Sequence, residues 1–90
     1  MADHFKIEIE TLDYRDGVTY IEFIDLVPTR QVTQVGDQWL SSRREYDAAV
    51  GPLLTDQLLQ PGEFDESDRI TSAEFEEAWT RAISQEDSQQ

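Results

Sequence analysis

Oxygen-bearing side chains at metal-loop spacing precede the last apolar stretch of this chain. Glu63, Asp65 and Ser67 fall at the first, third and fifth positions of a twelve-residue calcium loop, with Ile70 eighth, Thr71 ninth and Glu74 twelfth. Calcium takes oxygen ligands at such intervals. The pattern is degenerate: Asp68 stands where a sharp turn needs glycine, Glu63 where aspartate is usual, and Pro61-Gly62 interrupts any incoming helix. An EF-hand-like calcium module is therefore the alternative reading.

The other candidates for chemistry are weaker. Glu8, Glu10 and Glu22 are carboxylates on neighbouring strands, but acid–base work needs two carboxyls in unlike environments within a pocket. Glu8 and Glu10 alternate with Phe5, Ile7 and Ile9 and are expected to face solvent. His4 is the single histidine. Gly36, Gly51 and Gly62 are isolated, so no glycine-rich phosphate cradle exists. There is no cysteine, hence no disulfide, thiolate nucleophile or cysteine zinc site. No catalytic constellation, cofactor or metal site is assigned, and a small hydrolase is carried only because carboxylates are plentiful.

Charge narrows the partners. Twenty acidic residues against seven basic ones give a net charge of −13. Such a field repels nucleic acid and anionic membrane, and suits a basic protein partner or simple solubility, including solubility in a salty cytoplasm. No apolar run approaches the roughly 18–20 residues of a membrane span. The first residues lack the basic-then-apolar pattern of a secretory signal. A cytoplasmic location follows as the expectation.

The elements that must position these groups follow from periodicity. His4–Leu12 alternates with period two, which predicts a half-buried strand. Residues 13–17 read as a hairpin loop, with Gly17 able to take positive φ. Val18–Asp25 forms a second strand whose Val18, Tyr20 and Ile24 suggest cover on both faces. Thr29–Val35 follows Pro28 as a third strand, and Gln38–Ser42 returns after a Gly36-Asp37 turn. Residues 43–60 fit either a short helix begun by Pro52 or a packed irregular loop. Thr71 and Glu74 make a capping box, and Ile70 and Phe75 a hydrophobic staple. Phe75, Ala78, Trp79, Ala82 and Ile83 then recur at helical spacing, predicting a helix over Ser72–Ile83, with Glu77 and Arg81 as an i,i+4 pair.

The expected fold is α+β: a four-stranded antiparallel meander with one C-terminal amphipathic helix on one face. Residues 1–84 form a single domain, and 85–90 a frayed polar tail. Phe5, Ile7, Ile9, Ile21, Phe23, Val32, Leu40, Phe75, Trp79 and Ile83 are the expected core. Trp39, on a short edge strand, is a candidate interface residue. Arg30, Arg43 and Arg44 could bind an acidic group or neutralise nearby carboxylates.

The run Ile70-Thr71-Ser72-Ala73-Glu74-Phe75-Glu76-Glu77-Ala78-Trp79 resembles the ending of a small bacterial family of uncharacterised proteins, with its I-[ST]-x-x-E-F-E-x-x-W helix. Arg30-Gln31-Val32 and Gly51-Pro52-Leu53-Leu54 match further steps of that family. The resemblance implies a β-rich first half and carries no assigned activity; its small acidic members look like stand-alone binding or immunity-type proteins. The functional expectation is a non-enzymatic protein–protein interaction module, of adaptor or immunity/inhibitor type. Its expected surface is Glu63, Asp65, Glu66, Asp68, Glu76 and Glu77, meeting a basic partner. The sequence gives no oligomeric state.

Overall fold

The computed structural model describes residues 2–13 and 15–88. Three nine-residue strands run in sequence: β1 (Ala2–Glu10), β2 (Asp16–Ile24) and β3 (Val27–Val35), followed by β4 (Gln38–Ser41). They pair antiparallel in the order β1-β2-β3-β4, as expected of a meander. Two short strands, β5 (Tyr46–Asp47) and β6 (Gly51–Pro52), form a separate pair. The C-terminal helix α1 spans Ser72–Ser88. The fold is α+β.

The β2–β3 connection is a two-residue turn in which Asp25 and Leu26 take φ of 51° and 72°. Two successive left-handed residues match the twist of the flanking strands. Gly17 differs from expectation: it lies inside β2 opposite Ile9. A Cβ there would stand 2.9 Å from the Gln34 carbonyl oxygen, so close approach of β3 rather than a turn requires glycine.

Each face of the sheet has its own core. Phe5, Ile21 and Phe23 cluster on one face beneath Leu59 and Phe64. Residues 53–65 supply that cover as irregular chain, so the loop alternative holds for 53–60; before it, Pro52 starts no helix but pairs with Tyr46 in β6. Leu59 N–H donates to the Leu26 carbonyl at 2.9 Å, and Thr55 N–H to the Gln31 side chain at 3.0 Å. The opposite face buries Tyr20, Val32, Phe75, Ala78 and Ala82, with Val18, Trp39, Ile70 and Trp79 packed against them.

The expected core is thus corrected from one cluster to two. The helix does not lie on the Phe5–Ile7–Ile9 face. It lies on the face that also carries His4, Lys6 and Glu22, because there Val18, Tyr20, Val32 and Trp39 offer an apolar strip to its stripe. Ile7, Ile9, Trp79 and Ile83 are half-buried, while Tyr20, Val35 and Leu53 are buried.

The helix start is held by Thr71, whose hydroxyl accepts from Glu74 N–H at 3.1 Å. At the other end the frayed tail is overturned for residues 85–88, which continue the helix; 89–90 lie outside the described residues. The reason is tertiary. The Gln85 side chain accepts from Trp39 N–H at 2.7 Å and donates to the Asp37 carbonyl at 2.8 Å. The Glu86 carboxylate accepts from Ser41 N–H at 2.9 Å and from its hydroxyl at 2.6 Å.

Candidate functional site

Two places on the helix side of the sheet concentrate polar groups: a buried ionic seam and an exposed acidic edge. The seam begins with a β-bulge. Glu22 pairs with Arg30 and Phe23 with Pro28, leaving Thr29 without a partner residue on β2. A bulge re-aims side chains, and here Thr29 and Arg30 both reach Glu22. Thr29 Oγ1 donates to Glu22 Oε1 at 2.8 Å. Arg30 donates from Nε to Oε1 at 2.8 Å and from Nη2 to Oε2 at 2.6 Å. His4 Nε2 lies 3.0 Å from Oε2.

The helix closes the seam. Glu76 accepts from Arg30 Nη1 at 3.2 Å and also from Nη2. The guanidinium lies 5.1 Å from the Phe75 ring centroid and 5.2 Å from that of Trp79. His4 tilts against Phe75 at 5.2 Å, and its carbonyl accepts from Ile70 N–H at 3.0 Å. His4 and Glu22 are 6% and 5% exposed, so the carboxylate must be paired to remain charged. The bidentate Arg30 contact outweighs burial, and with His4 and Thr29 it holds the Glu22 carboxyl down at about 2. Arg30 likewise holds Glu76 below the usual carboxylate range.

This arrangement serves structure. Both Glu22 oxygens are occupied by donors from Arg30, His4 and Thr29, which leaves little capacity to take a proton from a substrate. Glu22 is therefore separated from Glu8 and Glu10 in role as well as in burial.

The expected interaction residues are divided among other tasks. Glu66 pairs with Arg69 at 3.1 Å, Glu76 with Arg30, and Glu77 with Arg81 at 3.8 Å. Glu63 accepts from Gln60 N–H at 3.1 Å, and Asp65 from Ser67 N–H at 3.4 Å. Asp68 is half-buried at the end of the 3-10 turn Glu66–Asp68. Glu63 and Asp65 thus accept hydrogen bonds from neighbouring backbone. Among the described residues no group of three or more His, Cys, Asp or Glu side chains gathers in a way that could hold a metal.

Sequence reasoning missed the second place, the hairpin end of β1 and β2. Glu8, Glu10 and Asp16, with Val18, Gln34 and Gly36, line a shallow cavity of about 590 Å³. The helix stops short of it. The alternation of β1 puts Glu8 and Glu10 on the same face as His4, and both are exposed. Pairing Glu10 with Asp16 and Glu8 with Val18 was the signal that could have found this cavity; it needed the strand register.

The edges of the sheet also differ. On β4, Trp39 and Ser41 donate to Gln85 and Glu86. Burial pushes Glu86 up, but Ser41 and Arg43 more than offset it, and its pKa is lowered. On β1, Ile70 binds the His4 carbonyl, and Leu12 N–H donates to the Ala49 carbonyl at 2.8 Å. Between the Phe5–Arg69 bridge and Leu12 the edge is uncovered. Among the described residues no helix is long and apolar enough to cross a membrane. Comparisons with protein-family models, curated proteins and solved structures gave no match.

Proposed function

We propose that this protein is a non-catalytic binding module that recognises a basic protein partner through its acidic surface. One observation supports this reading above the rest: five of the seven cations pair with carboxylates of the same chain, while many other carboxylates face solvent. Arg15, Arg30, Arg43, Arg69 and Arg81 each pair with a carboxylate of the same chain. Lys6 stands over the Tyr20 ring at 5.4 Å. Glu8, Glu10, Asp16, Asp37, Glu45 and Asp56 are exposed and form no ion pair among the described residues.

Charge complementarity of this kind steers association and selects partners by sign. Glu66, Glu76 and Glu77 are partly neutralised by arginine, so the Glu8–Glu10–Asp16 cavity takes the centre of the surface. Affinity capture at rising salt tests the reading. The expected result is a basic protein retained at low ionic strength and released by about 0.5 M salt, where the Debye length has fallen to a few ångströms. Failure to retain any basic protein, or capture indifferent to salt, would contradict it.

A further inference from the structure

We propose that the free stretch of the β1 edge, Ile7–Glu10, is a docking slot for an extended basic segment of a partner protein, which adds there as a fifth strand. The inference rests on the binding reading above and specifies its partner segment.

The slot is defined by backbone direction. In an antiparallel pair alternate residues turn their N–H and C=O groups toward and away from the neighbouring strand. The His4 carbonyl turns outward, since it accepts from Ile70 N–H at 3.0 Å. Leu12 N–H turns outward as well, to Ala49, while Thr11 N–H turns inward, to the Arg15 carbonyl at 2.8 Å. The even residues Lys6, Glu8 and Glu10 therefore present their backbone to the outer edge. Among the described residues no hydrogen bond from another segment reaches Glu8 or Glu10 there.

Both ends of the slot are closed. Arg69 bridges to Phe5 on one side, and Ala49 holds Leu12 on the other. At about 3.4 Å per residue, the interval between these closures admits roughly five residues of extended chain. A strand added in this way draws affinity from main-chain hydrogen bonds and specificity from alternate side chains.

Charge and polarity specify those side chains. On the helix side of the edge, Glu8 and Glu10 meet the incoming strand, with Asp16 behind them in the 590 Å³ cavity. Asp68, Lys6 and Glu8 line a second hollow of about 530 Å³ along the same edge. On the opposite side Ile7 and Ile9 are half-buried. The matching segment carries Lys or Arg at two alternate positions and apolar residues between them, so that cross-strand pairs form on both faces. A second copy of this chain fits poorly, because it would set Glu8 and Glu10 against like charge.

The test uses two peptides of equal composition: one alternating, Lys-Val-Lys-Val-Lys, the other reordered so that its lysines are contiguous, Lys-Lys-Lys-Val-Val. Binding to the full chain is followed by amide NMR and hydrogen exchange. The expected result is preferential binding of the alternating peptide, with slowed exchange at the Glu8 and Glu10 amides. Glu8→Pro, which removes an outward N–H that the fold does not use, should weaken it at least tenfold. The double variant Glu8→Lys, Glu10→Lys should do the same while keeping every backbone donor.

Equal binding of both peptides, weakened by the double variant Glu8→Lys, Glu10→Lys but unaffected by Glu8→Pro, would overturn the slot and leave the acidic-surface reading standing. Binding of neither peptide at low salt would overturn both.

Discussion

The two edges of the sheet receive opposite treatment. At β4 the last turn of α1 supplies side-chain acceptors for the outward N–H groups of Trp39 and Ser41. At β1 backbone contacts from Ile70 and Ala49 hold only the flanks. An exposed edge invites pairing with another chain, and natural sheets cover or charge it. Here one edge is covered and the other is charged. The covered edge belongs to folding, because its acceptors come from the helix that closes the core. The charged edge is left uncovered at Glu8 and Glu10, where the proposed partner strand would add.

The comparison breaks first if the helix lets go. Phe75 is fully buried between sheet and helix, so Phe75→Ala should cost about 3–5 kcal/mol, close to the whole stability of a domain this size. Urea denaturation measures it; a loss under about 1 kcal/mol would contradict the position of the helix. Trp79 is half-buried and is the weaker choice for this purpose.

Acid should loosen the same interface. The folded pKa of Glu22, about 2, lies below its ordinary value of 4.5. A depressed carboxyl contributes stability that is complete above the unfolded pKa and is lost as pH falls through the folded one. The Glu22 contribution, about 3 kcal/mol at most, should therefore disappear between about pH 4.5 and 2. Denaturation midpoints across that window should fall steeply in the native chain and less steeply in Glu22→Gln. Parallel slopes would rule out Glu22 as the source.

Smaller changes sharpen the contrast between the edges. Glu86→Ala leaves the buried Ser41 N–H without its partner and should cost roughly 1–3 kcal/mol. Glu8→Pro at the open edge should change stability by no more than about 0.5 kcal/mol, since the lost N–H faces outward. Chemical denaturation of the two variants side by side checks the pair. A larger loss for Glu8→Pro would show that β1 is not a free edge.

Local patterns carried much of the architecture. Alternation in Phe5–Ile9, the Gly36-Asp37 turn and the Thr71 cap are each confined to a few residues, and each describes the structure. Contacts distant in sequence were not legible. The Asp25–Leu26 turn has neither glycine nor asparagine to announce its positive φ values. Glu22, Arg30 and His4 are joined by strand register and a bulge, which composition does not encode. Gln85 and Glu86 read as a polar tail because their partners, Trp39 and Ser41, lie more than forty residues away. The acidic run before the helix is dense in carboxylates, yet much of it caps local backbone or pairs with arginine. Glu8 and Glu10 have the alternation of an ordinary solvent face, and only the position of the helix, which stops beside them, sets them apart.

Hydrogen exchange at the four edge amides tests the central claim most directly. In the free protein the N–H groups of Glu8 and Glu10 should exchange nearly as fast as in an unstructured chain. Those of Trp39 and Ser41 should be slower by orders of magnitude. Equal protection at the two edges, or fast exchange at Trp39 and Ser41, would contradict the account of one sealed and one open edge.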